Sequence, residues 1–173
     1  MIRFENDRII HIEDLNFSFP SGDYRWMDVR RFELNERMTQ LDALACLISS
    51  PWYDHGYDSP TSPIPDPGRR VHGPYRLEAI RSSSFLSVAR GRAVTALIEW
   101  AHLGGQLPAS TSVELDRFIK TALPENFDCW ELPDIRATAE HEWGQAVGVD
   151  GFIEFVALSP TRETSHLVVA TDD

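Results

Sequence analysis

Residues 52–58, with the sequence WYDHGYD, hold the densest group of chemically active side chains in the chain. A histidine flanked by two carboxylates is typical of general acid–base catalysis, because the carboxylates orient the ring and balance its charge. We therefore predict a catalytic set of His55, Asp54 and Asp58 on an exposed loop. The same side chains also suit a bound cation or a ligand ring. Tyr, Asp and Gly are common turn formers, so a purely structural loop is the alternative.

Two short motifs resemble metal-binding patterns without completing them. HEWGQ at 141–145 begins like the zinc-peptidase motif HExxH, but Gln145 replaces the second histidine and is a poor zinc ligand. Glu99 and His102 have the ExxH spacing of di-iron bundles, whereas the only other match, at 163–166, falls in a predicted turn and strand. The sequence contains no G-x-S-x-G, GxxxxGK[ST] or GxGxxG motif. We predict no metal site and no cofactor.

The negative charge of the chain is concentrated in its last third. The net charge is -11; residues 113–173 carry 13 acidic and 4 basic side chains, against 14 and 12 in residues 1–112. Such asymmetry repels polyanions and speeds encounter with a basic protein. We therefore predict a basic protein partner and no nucleic-acid partner. The alternative is that the acidic surface only keeps the protein soluble.

Two tryptophans lie among these acidic residues. Exposed indoles beside carboxylates can bind arginine- or lysine-rich surfaces through cation–π contacts and ion pairs. The predicted partner-binding residues are Trp130, Glu131, Asp134, Glu140, Glu142 and Trp143. The alternative is that both tryptophans belong to the core and the carboxylates are merely solvated.

Composition indicates one globular domain in the cytoplasm. A length of 173 residues with 42% hydrophobic side chains suits a single domain. No apolar run approaches the ~18–20 residues of a membrane span, and the start lacks the pattern of a secretory signal. Cys46 and Cys129 form no CxxC motif, so we expect reduced thiols. Fifteen arginines against one lysine are typical of a GC-rich genome, which suggests a bacterial source.

Hydrophobic patterns place strands toward both ends of the chain. The predicted strands are 2–4 and 9–12 around a polar turn, then 24–34, 75–80, 127–132, 152–158 and 166–170. The last two are apolar at nearly every position, so we expect them in the interior of a sheet. Residues 14–23 are predicted to be irregular.

Helical periodicity occupies the middle of the chain. The predicted helices are 36–49, with Asn35 as a possible cap and Thr39 as a second possible start, 84–103, capped by the serines at 82–84, 112–122 and 135–146. Residues 51–74 contain six prolines and are predicted to form a long loop, a lid or an internal boundary. The sum is a single α+β domain, with a mostly antiparallel sheet, terminal hairpins and three or four packed helices.

These observations support two functions. The first is an acidic interaction protein that binds a basic partner, for example an immunity-type inhibitor of a toxin. The alternative is a small enzyme or small-molecule-binding protein with its site at the 52–58 loop. The two differ in what they require: a complementary acidic surface in the first case, a concave polar site in the second.

Overall fold

A six-stranded antiparallel sheet is the centre of the fold. The computed structural model describes residues 8–20, 24–35, 37–59 and 68–172, so the predicted strand 2–4 lies outside the described residues. The sheet order is β1-β2-β8-β7-β6-β5. Its strands are β1 (Ile9–Ser18), β2 (Arg25–Leu34), β5 (Leu86–Val88), β6 (Asp128–Leu132), β7 (Ile153–Leu158) and β8 (Thr164–Asp172). The predicted α+β fold with a mostly antiparallel sheet is confirmed, and β7 and β8 lie in the sheet interior as expected.

In the part of the chain that the structure describes, a second, two-stranded sheet and four α-helices complete the architecture. The strands β3 (Val71–His72) and β4 (Tyr75–Arg76) form a hairpin. The helices are α1 (Gln40–Ile48), α2 (Arg90–Ala101), α3 (Ala109–Ala122) and α4 (Arg136–Ala139). The Thr39 hydroxyl accepts the Asp42 backbone N–H, which confirms the second possible start and explains why α1 begins there rather than at residue 36. Among the described residues, no helix is long and apolar enough to span a membrane.

The large sheet buries both of its faces. Alternate residues of β2 point to opposite sides: Trp26 and Phe32 join a core with α1 and the loop after it. Met27 and Val29 join a second core with α2 and α3. The loop that carries the predicted catalytic residues therefore packs on one sheet face, opposite the two long helices.

Several predicted elements differ from those observed. β1 continues to Ser18 through residues predicted to be irregular, because these residues pair with β2 beyond a register shift between His11 and Glu13. The serines at 82–84 form a 3-10 turn that leads into β5, so α2 begins only at Arg90. The helix predicted at 135–146 is reduced to α4 and a separate 3-10 turn, Gly144–Ala146. Both cysteines are free thiols, as predicted, and both are buried.

The β3–β4 hairpin depends on a glycine. Gly73 has a φ of +51°, and a Cβ there would lie 2.3 Å from a ring carbon of Phe152. We expect Gly73→Ala to lower the free energy of unfolding by about 2–3 kcal/mol, because both the backbone strain and the clash must be relieved. Chemical denaturation would measure the loss.

The Phe152→Ala background is the control for this substitution, because it removes the ring that the new Cβ would meet. There Gly73→Ala should lose only the conformational part of the stability, at least about 1 kcal/mol less than in the native background. Equal losses in the two backgrounds would show that contact with Phe152 contributes nothing.

Candidate functional site

A groove of about 390 Å³ lies between the β3–β4 segment and the turn that follows α4. We call it the arginine groove. Its lining combines guanidinium, carboxylate, imidazole and indole groups, contributed by Arg69, Arg70, Val71, Arg76, Glu78, His141, Glu142 and Trp143. Concave sites with a few convergent polar groups are where small ligands usually bind. The arginine groove is therefore the candidate site.

Asp54 holds one wall of the arginine groove in place. It is 7% exposed, and its carboxylate accepts backbone N–H groups from Gly68, Arg70 and Val71 at 2.8, 3.2 and 3.1 Å. Arg70 has a φ of +59°, a conformation that a long side chain adopts only when neighbouring contacts fix it. The buried carboxylate thus presents Arg69 and Arg70 to the groove.

Asp58 reaches the same wall through an ion pair. Arg69 Nη1 donates to Asp58 Oδ2 at 2.8 Å, and both side chains are partly exposed. Burial raises the pKa of Asp58, but the hydrogen bond and charge of Arg69 outweigh it, so the pKa lies below its ordinary value. Asp58 therefore remains ionised beside Arg69.

His55 joins the loop to the β3–β4 hairpin and is only 2% exposed, so the expectation of an exposed histidine is wrong. Its backbone N–H donates to Val71 O and its carbonyl accepts from Gly73, both at 2.9 Å. Its ring Nδ1 accepts the Tyr57 backbone N–H at 3.0 Å. The catalytic role of His55, Asp54 and Asp58 stays a prediction, while their observed contacts build the arginine groove.

The opposite wall presents an exposed indole beside a carboxylate. Trp143 is 72% exposed, and its Nε1 donates to Glu142 Oε1 at 3.1 Å. Its backbone N–H donates to His141 Nδ1 at 3.2 Å. Because Nδ1 accepts, the other ring nitrogen of His141 carries the hydrogen and donates to Gly73 O at 3.0 Å. This neutral histidine links the two walls.

Two further contacts keep the walls at a fixed separation. Arg76 donates to the carbonyls of Glu140 and Thr138 at 2.7 and 2.8 Å. A Cβ at Gly144 would lie 2.5 Å from Pro74 O, so only glycine allows this close approach. These contacts hold the two walls of the groove together.

The predicted partner-binding residues are divided between different parts of the surface. Trp130 is partly buried against the core, whereas the next residue, Glu131, points to the opposite sheet face and lies 3.0 Å from Arg92. Arg136 lies within about 4 Å of the carboxylates of Asp134 and Glu140.

Only the last two predicted residues, Glu142 and Trp143, line the arginine groove. Two other carboxylates of the acidic third, Glu154 and Asp172, are buried. Part of the negative charge of this third therefore lies away from the exposed surface.

A buried polar cluster ties the 52–58 loop to the large sheet. Tyr53 Oη donates to Glu154 Oε1 at 2.7 Å, and His72 Nε2 lies 2.7 Å from Glu154 Oε2. All three residues are fully buried. His72 Nδ1 donates to the Tyr53 carbonyl at 2.6 Å, so this nitrogen carries a hydrogen. Because the contact between Nε2 and Oε2 needs a second hydrogen, the His72–Glu154 pair carries two protons and no net charge. Burial and the neighbouring Glu154 raise the pKa of Tyr53 well above its ordinary value.

A second buried cluster holds the start of the loop. Arg30 donates to Asp28 Oδ2 at 3.0 Å and to Trp52 O at 2.7 Å, and its Nε lies 3.7 Å from Asp14. The His11 ring stacks on Trp52 at 3.8 Å. Burial raises the pKa of Asp28 to about 6, although the charge of Arg30 lowers it. Strand and loop are thus joined by charge-assisted hydrogen bonds.

Sequence reasoning found parts of the site but missed its arginines. The adjacent pair Arg69-Arg70, at the end of the proline-rich stretch, was the available signal. Among the described residues, no group of three or more His, Cys, Asp or Glu side chains is placed to hold a metal ion. Comparisons with protein-family models, with curated proteins and with solved structures found no match. The function has therefore to be inferred from the residues of the chain itself.

Proposed function

We propose that the protein binds a small anionic ligand in the arginine groove. The observation that carries this proposal is that Arg69 and Arg70 lie at one concave surface, beside Arg76, whose guanidinium already donates to two backbone carbonyls. Guanidinium groups match the geometry of carboxylates and phosphates and bind them through paired hydrogen bonds. This proposal develops the small-molecule-binding alternative that the sequence suggested. The 52–58 loop does not line the groove, but its Asp54 and Asp58 bind the residues of one wall.

The present partners of these arginines do not prevent ligand binding. Arg69 and Arg70 pair with Asp58 and Glu78 at 2.8 and 3.5 Å, and all four side chains are substantially exposed. Exposed ion pairs contribute little, with a median of about 0–1 kcal/mol, so a ligand anion can displace or share them. The chain's net charge of -11 acts through solvent that screens charges beyond about 8 Å at physiological salt. The protein therefore disfavours polyanions while a small anion can still be bound at close range.

Binding of inorganic phosphate, measured by isothermal titration calorimetry, tests the proposal. We expect saturable binding that weakens as sodium chloride is raised. Arg70→Gln should weaken it about tenfold, since hydrogen bonds to charged groups contribute about 1.5–3 kcal/mol. Arg92→Gln is the matched control, because Arg92 is equally exposed and paired with one glutamate outside the groove. No saturable heat, or equal losses in the two variants, would refute the proposal.

A basic protein partner remains a second proposal, together with an immunity-type role and a cytoplasmic location. It is favoured by Trp143, which is exposed beside the Glu142 carboxylate, and by the net charge of -11. The arginines beside Glu131, Asp134 and Glu140 weaken its support. A fluorescent oligo-arginine peptide would distinguish the proposals: tight binding lost in Trp143→Ala but kept in Arg70→Gln would favour the basic partner.

A further inference from the structure

The exposed indole of Trp143 lines the groove and is oriented by contacts within its own segment. Its ring nitrogen is bonded to Glu142 and its backbone to His141. Gly144, which follows, packs against Pro74 too closely to allow a Cβ. An aromatic surface held in advance loses less entropy when a ligand stacks on it.

The arginine groove also contains carboxylates that a simple anion would not need. Glu78 and Glu142 line it together with the three arginines. A carboxylate accepts hydrogen bonds, so these two residues favour ligand groups that donate, such as hydroxyls or an amino group. They oppose a second phosphate or carboxylate placed near them. The lining therefore selects one anionic end and one neutral, hydrogen-bond-donating part.

We infer that the ligand is a nucleoside monophosphate or another phosphate ester that carries a planar ring. Its ring stacks on Trp143 while its phosphate binds the arginines. This inference rests on the proposed function and specifies its substrate class. Trp143 supplies the ring platform, Arg69 and Arg70 supply the phosphate contacts, and the glutamates accept from the sugar hydroxyls. Stacking on an aromatic side chain tolerates any base, so the platform itself does not select among bases.

The test compares four probes by isothermal titration calorimetry: AMP, ribose 5-phosphate, adenosine and inorganic phosphate. We expect AMP to bind at least about fivefold more tightly than ribose 5-phosphate, because base stacking on an aromatic ring contributes about 1–3 kcal/mol. Trp143→Ala should remove this advantage and Trp143→Phe should restore part of it. Arg70→Gln should weaken AMP and ribose 5-phosphate by the same factor. Circular dichroism would confirm that each variant is folded.

The outcomes distinguish failure of the nucleotide inference from failure of the proposed anion-binding function. Equal binding of AMP and ribose 5-phosphate, unchanged in Trp143→Ala, would overturn the role of the ring and leave anion binding intact. Adenosine binding as tightly as AMP would overturn the phosphate contacts. Binding of none of the four probes would overturn both the inference and the proposed function.

Discussion

Replacing Glu154 with alanine is expected to lower the free energy of unfolding by about 3–5 kcal/mol, as the loss of one member of a buried pair does. The Glu154 carboxylate holds the Tyr53 hydroxyl and the His72 ring, both fully buried. Alanine would leave a hydroxyl and a ring nitrogen without partners in the core, and each unsatisfied group costs about 1–3 kcal/mol. Denaturation by urea, followed by tryptophan fluorescence, would measure the loss.

Two further variants show whether the hydrogen bonds cause this effect. Glu154→Gln should lose much less stability, because its oxygen can accept from Tyr53 while its amide donates to the neutral ring of His72. Glu99→Ala, an exposed site on α2, should change stability by no more than about 0.5 kcal/mol. If Glu154→Gln and Glu154→Ala were equally destabilised, the hydrogen-bonded cluster would not be the source of the stability.

Replacing Arg30 with methionine is expected to cost about 3–5 kcal/mol at pH 8 and less at pH 5. Methionine keeps much of the buried apolar stem but removes the guanidinium that meets Asp28 and the Trp52 carbonyl. At pH 8 Asp28 is ionised in the native protein and needs this cation. At pH 5 it is largely protonated, so the missing charge matters less.

The direction of this pH dependence follows from the pKa of Asp28. Burial raises it from an ordinary value of 3.8 to about 6, so the native state binds the proton more tightly than the unfolded state does. Asp28 therefore contributes stability that is fully present below its unfolded pKa and is lost as the pH rises through about 6. Without the lowering effect of Arg30 the native pKa is higher still. The cost of Arg30→Met should thus grow above pH 6, by at least about 1 kcal/mol.

The Asp28→Asn background provides the control for the second prediction. Asparagine cannot ionise, so Arg30→Met in that background should cost the same at pH 5 and pH 8. Urea titrations of the four proteins at both pH values complete the cycle. A pH-dependent cost that persists in the Asp28→Asn background would place the titrating group elsewhere.

Sequence patterns predicted the sheet interior well because those strands are governed by burial. β7 and β8 are apolar on both faces, and they occupy central positions in the sheet. β1 was predicted too short because it is an edge strand whose later residues are mostly polar and partly exposed. The 84–103 region was predicted as one helix, yet residues 86–88 pair with β6, a long-range contact that local periodicity does not encode.

The site was predicted in fragments for a related reason. The 52–58 loop and the Glu142–Trp143 pair were recognised separately, about 85 residues apart in the chain, and only the fold brings both to the arginine groove. The sequence pattern did not indicate a role for Glu154, because this residue lies in an otherwise apolar strand and its partner His72 lies in a proline-rich stretch. Side-chain chemistry was visible in the sequence, but contacts between distant segments were not.

A titration of uniformly ¹⁵N-labelled protein with inorganic phosphate, followed by two-dimensional amide NMR, tests anion binding in the arginine groove most directly. We predict saturable changes in the chemical shifts of the backbone amides of 69–71 and 141–144. The chemical shifts of the amides of α3, on the opposite sheet face, should not change. Shifts that do not saturate, or that are largest outside the groove, would contradict the account.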